Sequence, residues 1–80
     1  MFQSGMPHLP YMHAVSSSNI DSIGYDSNTD TLYVAFRRNG SVYTYFNVPK
    51  PVFLDFLNAS SHGEYLAEHI KGSYHHEQII

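Results

Sequence analysis

Apolar and polar residues alternate in three short stretches in the first half of the chain, the pattern of strands with one buried face. A first strand is predicted at residues 20–25, where Ile20 is out of phase with Ile23 and Tyr25 and indicates a bulge. The polar run at 26–30 predicts a turn. Two more strands are predicted at 31–37 and 41–46. The Asn39-Gly40 pair between them is typical of a two-residue type I′ hairpin loop.

The second half of the chain changes to helical spacing after two prolines, which the first turn of a helix accepts. A second helix is predicted to begin at Ser61 with the capping box Ser61-x-x-Glu64 and to stop at Gly72. The expected fold class is therefore α+β, a three-stranded antiparallel meander followed by two helices packed on one face (βββαα). The first helix carries apolar side chains at Val52, Phe53, Phe56 and Leu57.

The hairpin determines which side chains share a face of the sheet. A two-residue loop would place Phe36 opposite Tyr43 and Val34 opposite Tyr45. A four-residue loop would keep the same faces, whereas a three-residue loop would reverse them. Two helices can cover only one face of so small a sheet, so the more apolar face is assigned to the core. That face carries Leu32, Val34, Phe36, Tyr43 and Tyr45.

The opposite, open face of the hairpin provides the candidate binding site. It combines two aromatic rings, an aliphatic side chain and a guanidinium, a mixture enriched at interfaces. Such a patch can hold a protein, a second copy of the same sheet or an RNA base. The alternative is that its rings pack beneath the ends of the chain. The candidate binding residues are Tyr33, Arg37, Val42 and Phe46.

Length and composition set the domain organisation and the expected location. Residues 1–14 contain prolines without periodicity and predict a flexible N-terminal arm, residues 15–74 predict the α+β domain, and residues 75–80 predict a C-terminal tail. Because the chain has no cysteine, signal peptide or long apolar run, a cytoplasmic location without membrane contact is expected. Four Lys and Arg against seven Asp and Glu give weak electrostatic support for RNA as a partner.

No catalytic residue, cofactor or metal is expected. The serine-rich stretches lack the G-x-S-x-G elbow, and the chain contains no HExxH motif. His62 and His69 would lie two turns apart on a helix, and His75 and His76 would point in opposite directions from an extended chain. The side chains considered as metal ligands are His8, His13, His62, His69, His75, His76 and Glu77.

An ordered series of residues from about 12 to 74 resembles the KTSC domain. This family is named for its place at the C-terminus of some lysyl-tRNA synthetases, and it also occurs as small stand-alone proteins. The residues that carry the resemblance are Val15-x-Ser17-Ser18-x-Ile20, Ile23-Gly24-Tyr25-Asp26, Leu32-x-Val34-x-Phe36, Gly40-x-x-Tyr43-x-Tyr45-x-x-Val48-Pro49, Val52-Phe53, Leu57, Ala59-Ser60, Gly63-x-Tyr65, Ile70 and Tyr74.

The resemblance implies a small sheet-and-helix domain with no known catalysis and a central Tyr-x-Tyr, here Tyr43 and Tyr45. These rings can stack on bases or pack in the core, and their shared face with Leu32 and Val34 favours the core. The expected function is a non-catalytic binding or interaction module that uses the open sheet face for protein contact or self-association. The alternative, which the resemblance implies, is an RNA-binding, tRNA-related accessory domain.

Overall fold

The computed structural model describes residues 8–80, which form a five-stranded antiparallel sheet with its strands in sequence order. Two helices and a π-helical segment lie between the fourth and fifth strands in sequence and cover one face. The strands are β1 (Met12–Ala14), β2 (Ile20–Asp26), β3 (Thr31–Phe36), β4 (Val42–Tyr45) and β5 (His76–Gln78). The helices are α1 (Lys50–Leu57) and α2 (His62–Tyr65), and the π-helical segment Leu66–Ile70 continues α2.

The predicted α+β class is confirmed, but the prediction of three strands is wrong because a short strand is added at each edge. β1 pairs with β2, and β5 pairs with β4. Each added strand has only three residues, too few for alternation to be recognised in the sequence. The predicted N-terminal arm contributes β1, while its residues 1–7 lie outside the described part of the chain. The predicted tail contributes β5.

The β3–β4 hairpin has the predicted faces but a different register. Val34 lies opposite Tyr43 and Leu32 opposite Tyr45, so the predicted pairs Phe36–Tyr43 and Val34–Tyr45 are wrong. The shift is two residues on one strand. Because the side-chain period of a strand is two, such a shift leaves every side chain on its predicted face.

A four-residue loop at 37–40 causes the register shift. Phe36 N–H donates to the carbonyl oxygen of Ser41 at 2.9 Å and closes this loop. Gly40 has a φ of +70° and Asn39 does not have a positive φ, so the predicted type I′ turn does not form. The side-chain oxygen of Asn39 instead accepts from Ser41 N–H at 3.1 Å. One left-handed residue is therefore sufficient for the turn.

The core lies between the sheet and the helices. It includes Leu32, Val34 and Tyr45, as predicted, while Phe36 and Tyr43 are half-buried at its margin. Full burial of one large apolar side chain stabilises a fold by about 1.5–3 kcal/mol. The buried cluster consists of Ile20, Ile23, Leu32, Val34, Tyr45, Val48, Phe53, Phe56, Leu66 and Ile70.

Other local predictions also hold. The β2–β3 register shifts between Ile20 and Ser22, which confirms the bulge. Ser61 Oγ accepts from Glu64 N–H at 3.3 Å, so the predicted cap of the second helix is confirmed. Gly72 follows that helix with a φ of +83°. Between residues 8 and 80, neither helix is long and apolar enough to cross a membrane.

Candidate functional site

The four residues predicted to form one contact patch lie in different environments. Tyr33 is half-buried on the open face and pairs with Thr44. Arg37 is exposed in the loop after β3, and Phe46 is half-buried just after β4. Val42 is only 5% exposed. The four residues therefore do not form one continuous contact patch.

The main chain of Val42 pairs with the C-terminal end of the chain. Ile79 N–H donates to the carbonyl oxygen of Val42 at 2.9 Å, and Val42 N–H donates to that of Ile80 at 3.3 Å. With its main chain paired and its side chain buried, Val42 supports the sheet. Val42 pairs with Ala35 rather than with Arg37, the partner that a two-residue hairpin loop would have given it.

The Arg37 guanidinium holds the segment between β1 and β2. Its Nε donates to the carbonyl oxygen of Ser17 at 2.6 Å, and Nη2 donates to that of Val15 at 3.2 Å. Nη1 lies 3.4 Å from the Asp21 carboxylate. The guanidinium donors that the predicted binding site would offer to a partner are therefore used within the fold.

The structure does bring Tyr33 and Phe46 together in the lining of one groove, here called the open-face groove. Its volume is about 550 Å³. Phe46 stacks on His75 with ring centroids 5.7 Å apart, and its N–H donates to the carbonyl oxygen of His75 at 2.9 Å. The groove is lined by His8, Thr29, Thr31, Tyr33, Thr44, Phe46, Asn47, Glu77 and Ile79.

The segment before β1 crosses the open face at Gly24, which is opposite Tyr33 in the β2–β3 pair. A Cβ atom on Gly24 would lie 2.8 Å from the carbonyl oxygen of Tyr11 and 3.0 Å from Pro10 Cγ. Only glycine allows this close approach of two main chains. The segment around residues 10–12 therefore covers the β1–β2 part of the open face, and the groove lies over β3–β5.

A second concave surface lies on the core side of the sheet, where the β3–β4 loop meets the chain leaving the second helix. We call it the basic–aromatic cleft; its volume is about 510 Å³. Aromatic rings and basic groups share this space. It is lined by Asn19, Phe36, Arg38, Asn39, Ser41, Tyr43, Tyr45, Lys71 and His76.

The rings of the cleft contact one another. Tyr43 and Phe36 meet edge to face with centroids 5.7 Å apart, and His76 lies 5.6 Å from Tyr45 and 6.0 Å from Tyr43. Tyr45 is 2% exposed, and burial raises its pKa above the ordinary value. Tyr43 remains half-exposed, and its hydroxyl donates to Gln78 Oε1 at 3.1 Å. Both rings of the Tyr-x-Tyr pair thus line the cleft, Tyr45 as a buried member of the core and Tyr43 as a partly accessible ring.

Positive charge is concentrated in this cleft. Arg38 and Lys71 are two of the four Lys and Arg residues of the chain, and no Asp or Glu is among the residues that line the cleft. Neither side chain forms an ion pair with a carboxylate in the described range 8–80. The sequence pattern does not reveal this grouping because Lys71 lies about thirty residues beyond the hairpin that carries Arg38 and Tyr43, and only the fold brings it to them.

The histidines considered as metal ligands are not gathered into one site in the part of the chain that the structure describes. Within residues 8–80, no group of three His, Cys, Asp or Glu side chains is placed to hold a metal ion. His69 lies 3.9 Å from Glu68 on the exposed face of the π-helical segment. His62 Nε2 is 3.1 Å from the carbonyl oxygen of Leu57 and helps to join the two helices.

Comparison with known proteins identifies one domain family. The KTSC domain model matches residues 16–74. A lysine–tRNA ligase of Trichormus variabilis is 44% identical over 62 residues, which are 78% of this chain but 11% of the ligase. A protein of Tsukamurella paurometabola is 40% identical over 55 residues, covering 69% of this chain and 81% of that protein. The chain thus spans about a tenth of the length of the ligase it matches.

A solved structure has a similar fold. The crystal structure of a KTSC domain protein from Yersinia pestis superposes with a TM-score of 0.83 at 37% identity. The match covers 88% of this chain and 97% of the other.

Proposed function

This chain belongs to the KTSC domain family, and from that premise we propose that it is a non-catalytic binding module that holds a protein partner in the open-face groove. One observation carries the proposal: Tyr33 and Phe46 border a single groove of about 550 Å³ on the side of the sheet opposite the helices. Partly accessible aromatic side chains that line a groove are common anchors of protein interfaces.

The chemistry of the groove favours a protein over RNA. None of its lining residues is Lys or Arg, and Glu77 adds negative charge, so a phosphate backbone would be repelled. Thr29, Thr31 and Thr44 line the same groove. Their hydroxyls already donate within the fold, to Thr31 Oγ1 and to the carbonyl oxygens of Thr29 and Glu77. Their oxygens keep lone pairs that can accept from the N–H groups of a peptide. The rings of Tyr33 and Phe46 can pack against its apolar side chains.

The proposal also covers self-association, since a second copy of the chain is one protein that the groove can hold. The cysteine-free sequence supports a reducing, cytoplasmic setting for either kind of partner. Arg37 is not proposed as an anchor, because its guanidinium is hydrogen-bonded to the segment between β1 and β2. Val42 is excluded by its burial.

The double variant Tyr33→Ser with Phe46→Ser tests this proposal. Equilibrium sedimentation measures self-association, and selection from a displayed peptide library identifies protein ligands of the wild type. Loss of two aromatic anchors should weaken binding by about 2 kcal/mol or more, roughly thirtyfold, with little dependence on salt. Tyr11→Ser is the matched control because Tyr11 is 77% exposed and lies outside the groove; it should bind as the wild type does.

Two results would contradict the proposal. One is unfolding of the double variant, monitored by circular dichroism, since the two rings would then belong to the core. The other is a wild type that is strictly monomeric and selects no peptide that competes for this groove.

The RNA-binding alternative finds its support on another surface. Similarity to part of a lysine–tRNA ligase supports an accessory role beside tRNA charging, but the open-face groove has no basic residue among those that line it. The basic–aromatic cleft has the charge that this groove lacks.

A further inference from the structure

We infer that the basic–aromatic cleft binds a nucleotide unit, with the base against the aromatic rings and the phosphate between Arg38 and Lys71. The unit is either a free nucleotide or one residue of a single-stranded RNA, because both present the same base and phosphate. This site lies on the opposite side of the sheet from the open-face groove, and it does not depend on the function proposed for that groove.

The distribution of charge is the first argument. The chain carries a formal charge of −3, yet the cleft is lined by Arg38 and Lys71 and by no carboxylate. Both side chains are exposed and free of ion pairs with the other described residues, 8–80. Their donors are therefore available to a ligand. In a protein that is acidic overall, such a locally basic concave surface attracts a small anionic group.

The aromatic rings distinguish this site from a simple anion site. Tyr43 is half-exposed in the cleft, with the Phe36 ring perpendicular to it and His76 beside it. A flat base packs on such rings whatever its identity, and base–aromatic stacking is a general mode of recognition of unpaired nucleotides. Inorganic phosphate would use the basic side chains and leave this surface uncovered.

Neutral polar groups complete the site. Asn19, Asn39 and Ser41 also line the cleft, and their amide and hydroxyl groups can pair with the edge of a base or with a ribose hydroxyl. The volume of about 510 Å³ lies within the usual range of sites for small molecules. Charge, stacking surface and polar edge groups are thus present in one place.

The test uses the full chain and two probes. A fluorescently labelled short single-stranded RNA is followed by anisotropy at about 50 mM and about 200 mM salt. Unlabelled adenosine monophosphate is followed by amide chemical shifts. Saturable binding of either probe, with the shifts concentrated in residues 38–45 and 71–76, supports the site. If only the RNA binds, the ligand of the cleft is single-stranded RNA. If adenosine monophosphate binds, the cleft accepts free nucleotides. For a single strand, neutralisation of the one phosphate held between Arg38 and Lys71 predicts a slope of about −0.7 for log K against log salt concentration.

Charge reversals and a ring deletion locate the ligand. Arg38→Glu and Lys71→Glu should each weaken RNA binding about tenfold and bring the salt slope toward zero. Lys50→Glu is the matched control, since Lys50 is also exposed but does not line the cleft; its effect should be less than about threefold. Tyr43→Leu should weaken binding with an unchanged salt slope because it removes a stacking surface and no charge.

Several results would overturn the inference. One is that neither probe binds at the lower salt concentration. Another is that Lys50→Glu weakens RNA binding as much as Lys71→Glu does. A third is that inorganic phosphate shifts the same amide signals as strongly as adenosine monophosphate. The variant Tyr33→Ser with Phe46→Ser should bind both probes as the wild type does. That separates a failure here from a failure at the open-face groove.

Discussion

Arg37 Nε donates a hydrogen bond of 2.6 Å to the main-chain carbonyl oxygen of Ser17, twenty residues earlier in the chain. A second donor of the same guanidinium reaches the carbonyl oxygen of Val15 at 3.2 Å. The planar fork of arginine suits this double contact, which attaches the β1–β2 connection to the β3–β4 loop. An arginine that appears in the sequence as a surface charge thus fixes two distant segments together.

Replacing Arg37 by Ala should lower the free energy of unfolding by about 1–2 kcal/mol, because two carbonyl groups lose a charged donor and water only partly replaces it. Arg37→Lys should recover only part of the loss, since an ammonium does not reproduce the fork. Urea unfolding followed by circular dichroism measures both. Arg38→Ala is the control and should change stability by no more than about 0.5 kcal/mol. An equal loss for Arg38→Ala would refute the assigned role.

Replacing Tyr45 by Ala should destabilise the fold by about 3–5 kcal/mol, as expected for truncation of a buried aromatic ring. Tyr45 is 2% exposed, whereas Tyr43 is half-buried, so Tyr43→Ala should cost clearly less. Tyr11→Ala, at a residue 77% exposed, should have almost no effect. Thermal unfolding gives the order of the three variants. A change below about 1 kcal/mol for Tyr45→Ala would contradict its place in the core.

Replacing Gly40 by Val should be clearly destabilising although there is space for the side chain. No atom lies within 4 Å of a Cβ built on Gly40, but its φ is +70°, and a left-handed conformation costs an L-residue about 1–2 kcal/mol. Gly40→Asn should be tolerated better, since asparagine visits this region more readily. Gly63→Ala is the matched control, because its Cβ also meets open space without a positive φ. It should be neutral or stabilising by up to about 1 kcal/mol in differential scanning calorimetry.

Stability should fall as the pH rises above about 10, where unfolded tyrosine releases its proton. Burial and a hydrogen bond to Asp30 raise the pKa of Tyr25 above its ordinary 10.0, and its hydroxyl donates to the carbonyl oxygen of Val48 at 2.6 Å. The unfolded state therefore loses its proton first. The contribution is fully present below the unfolded pKa and is lost as the pH rises through the folded pKa.

Urea unfolding at several pH values between about 9 and about 11 measures this decline. Tyr25→Phe should be less stable at neutral pH and should show a shallower decline, with the remaining slope due to Tyr45 and Tyr65. Burial raises the pKa of both of these groups. If the free energy of unfolding of Tyr25→Phe falls with pH as steeply as that of the wild type, ionisation of the Tyr25 hydroxyl is not linked to folding.

Features set by near neighbours along the chain could be predicted from the sequence. The bulge after Ile20, the Ser61 cap and the stop at Gly72 each depend on a few consecutive residues. The faces of β3 and β4 were also predictable, because strand side chains alternate with a period of two and the actual loop differs from the predicted one by an even number of residues. Together with the ordered family residues, these features determined the fold class and the main core.

Only the tertiary structure decided the edge strands and the two concave surfaces. β1 and β5 have three residues each, and their main chains become strands because a neighbouring strand offers hydrogen-bond partners. Tyr43 meets Gln78 across 35 residues, and Arg38 shares its cleft with Lys71. Periodicity reports only which face of its own element a side chain occupies. Which distant side chain shares that space depends on register, loop length and the path of the chain between the elements.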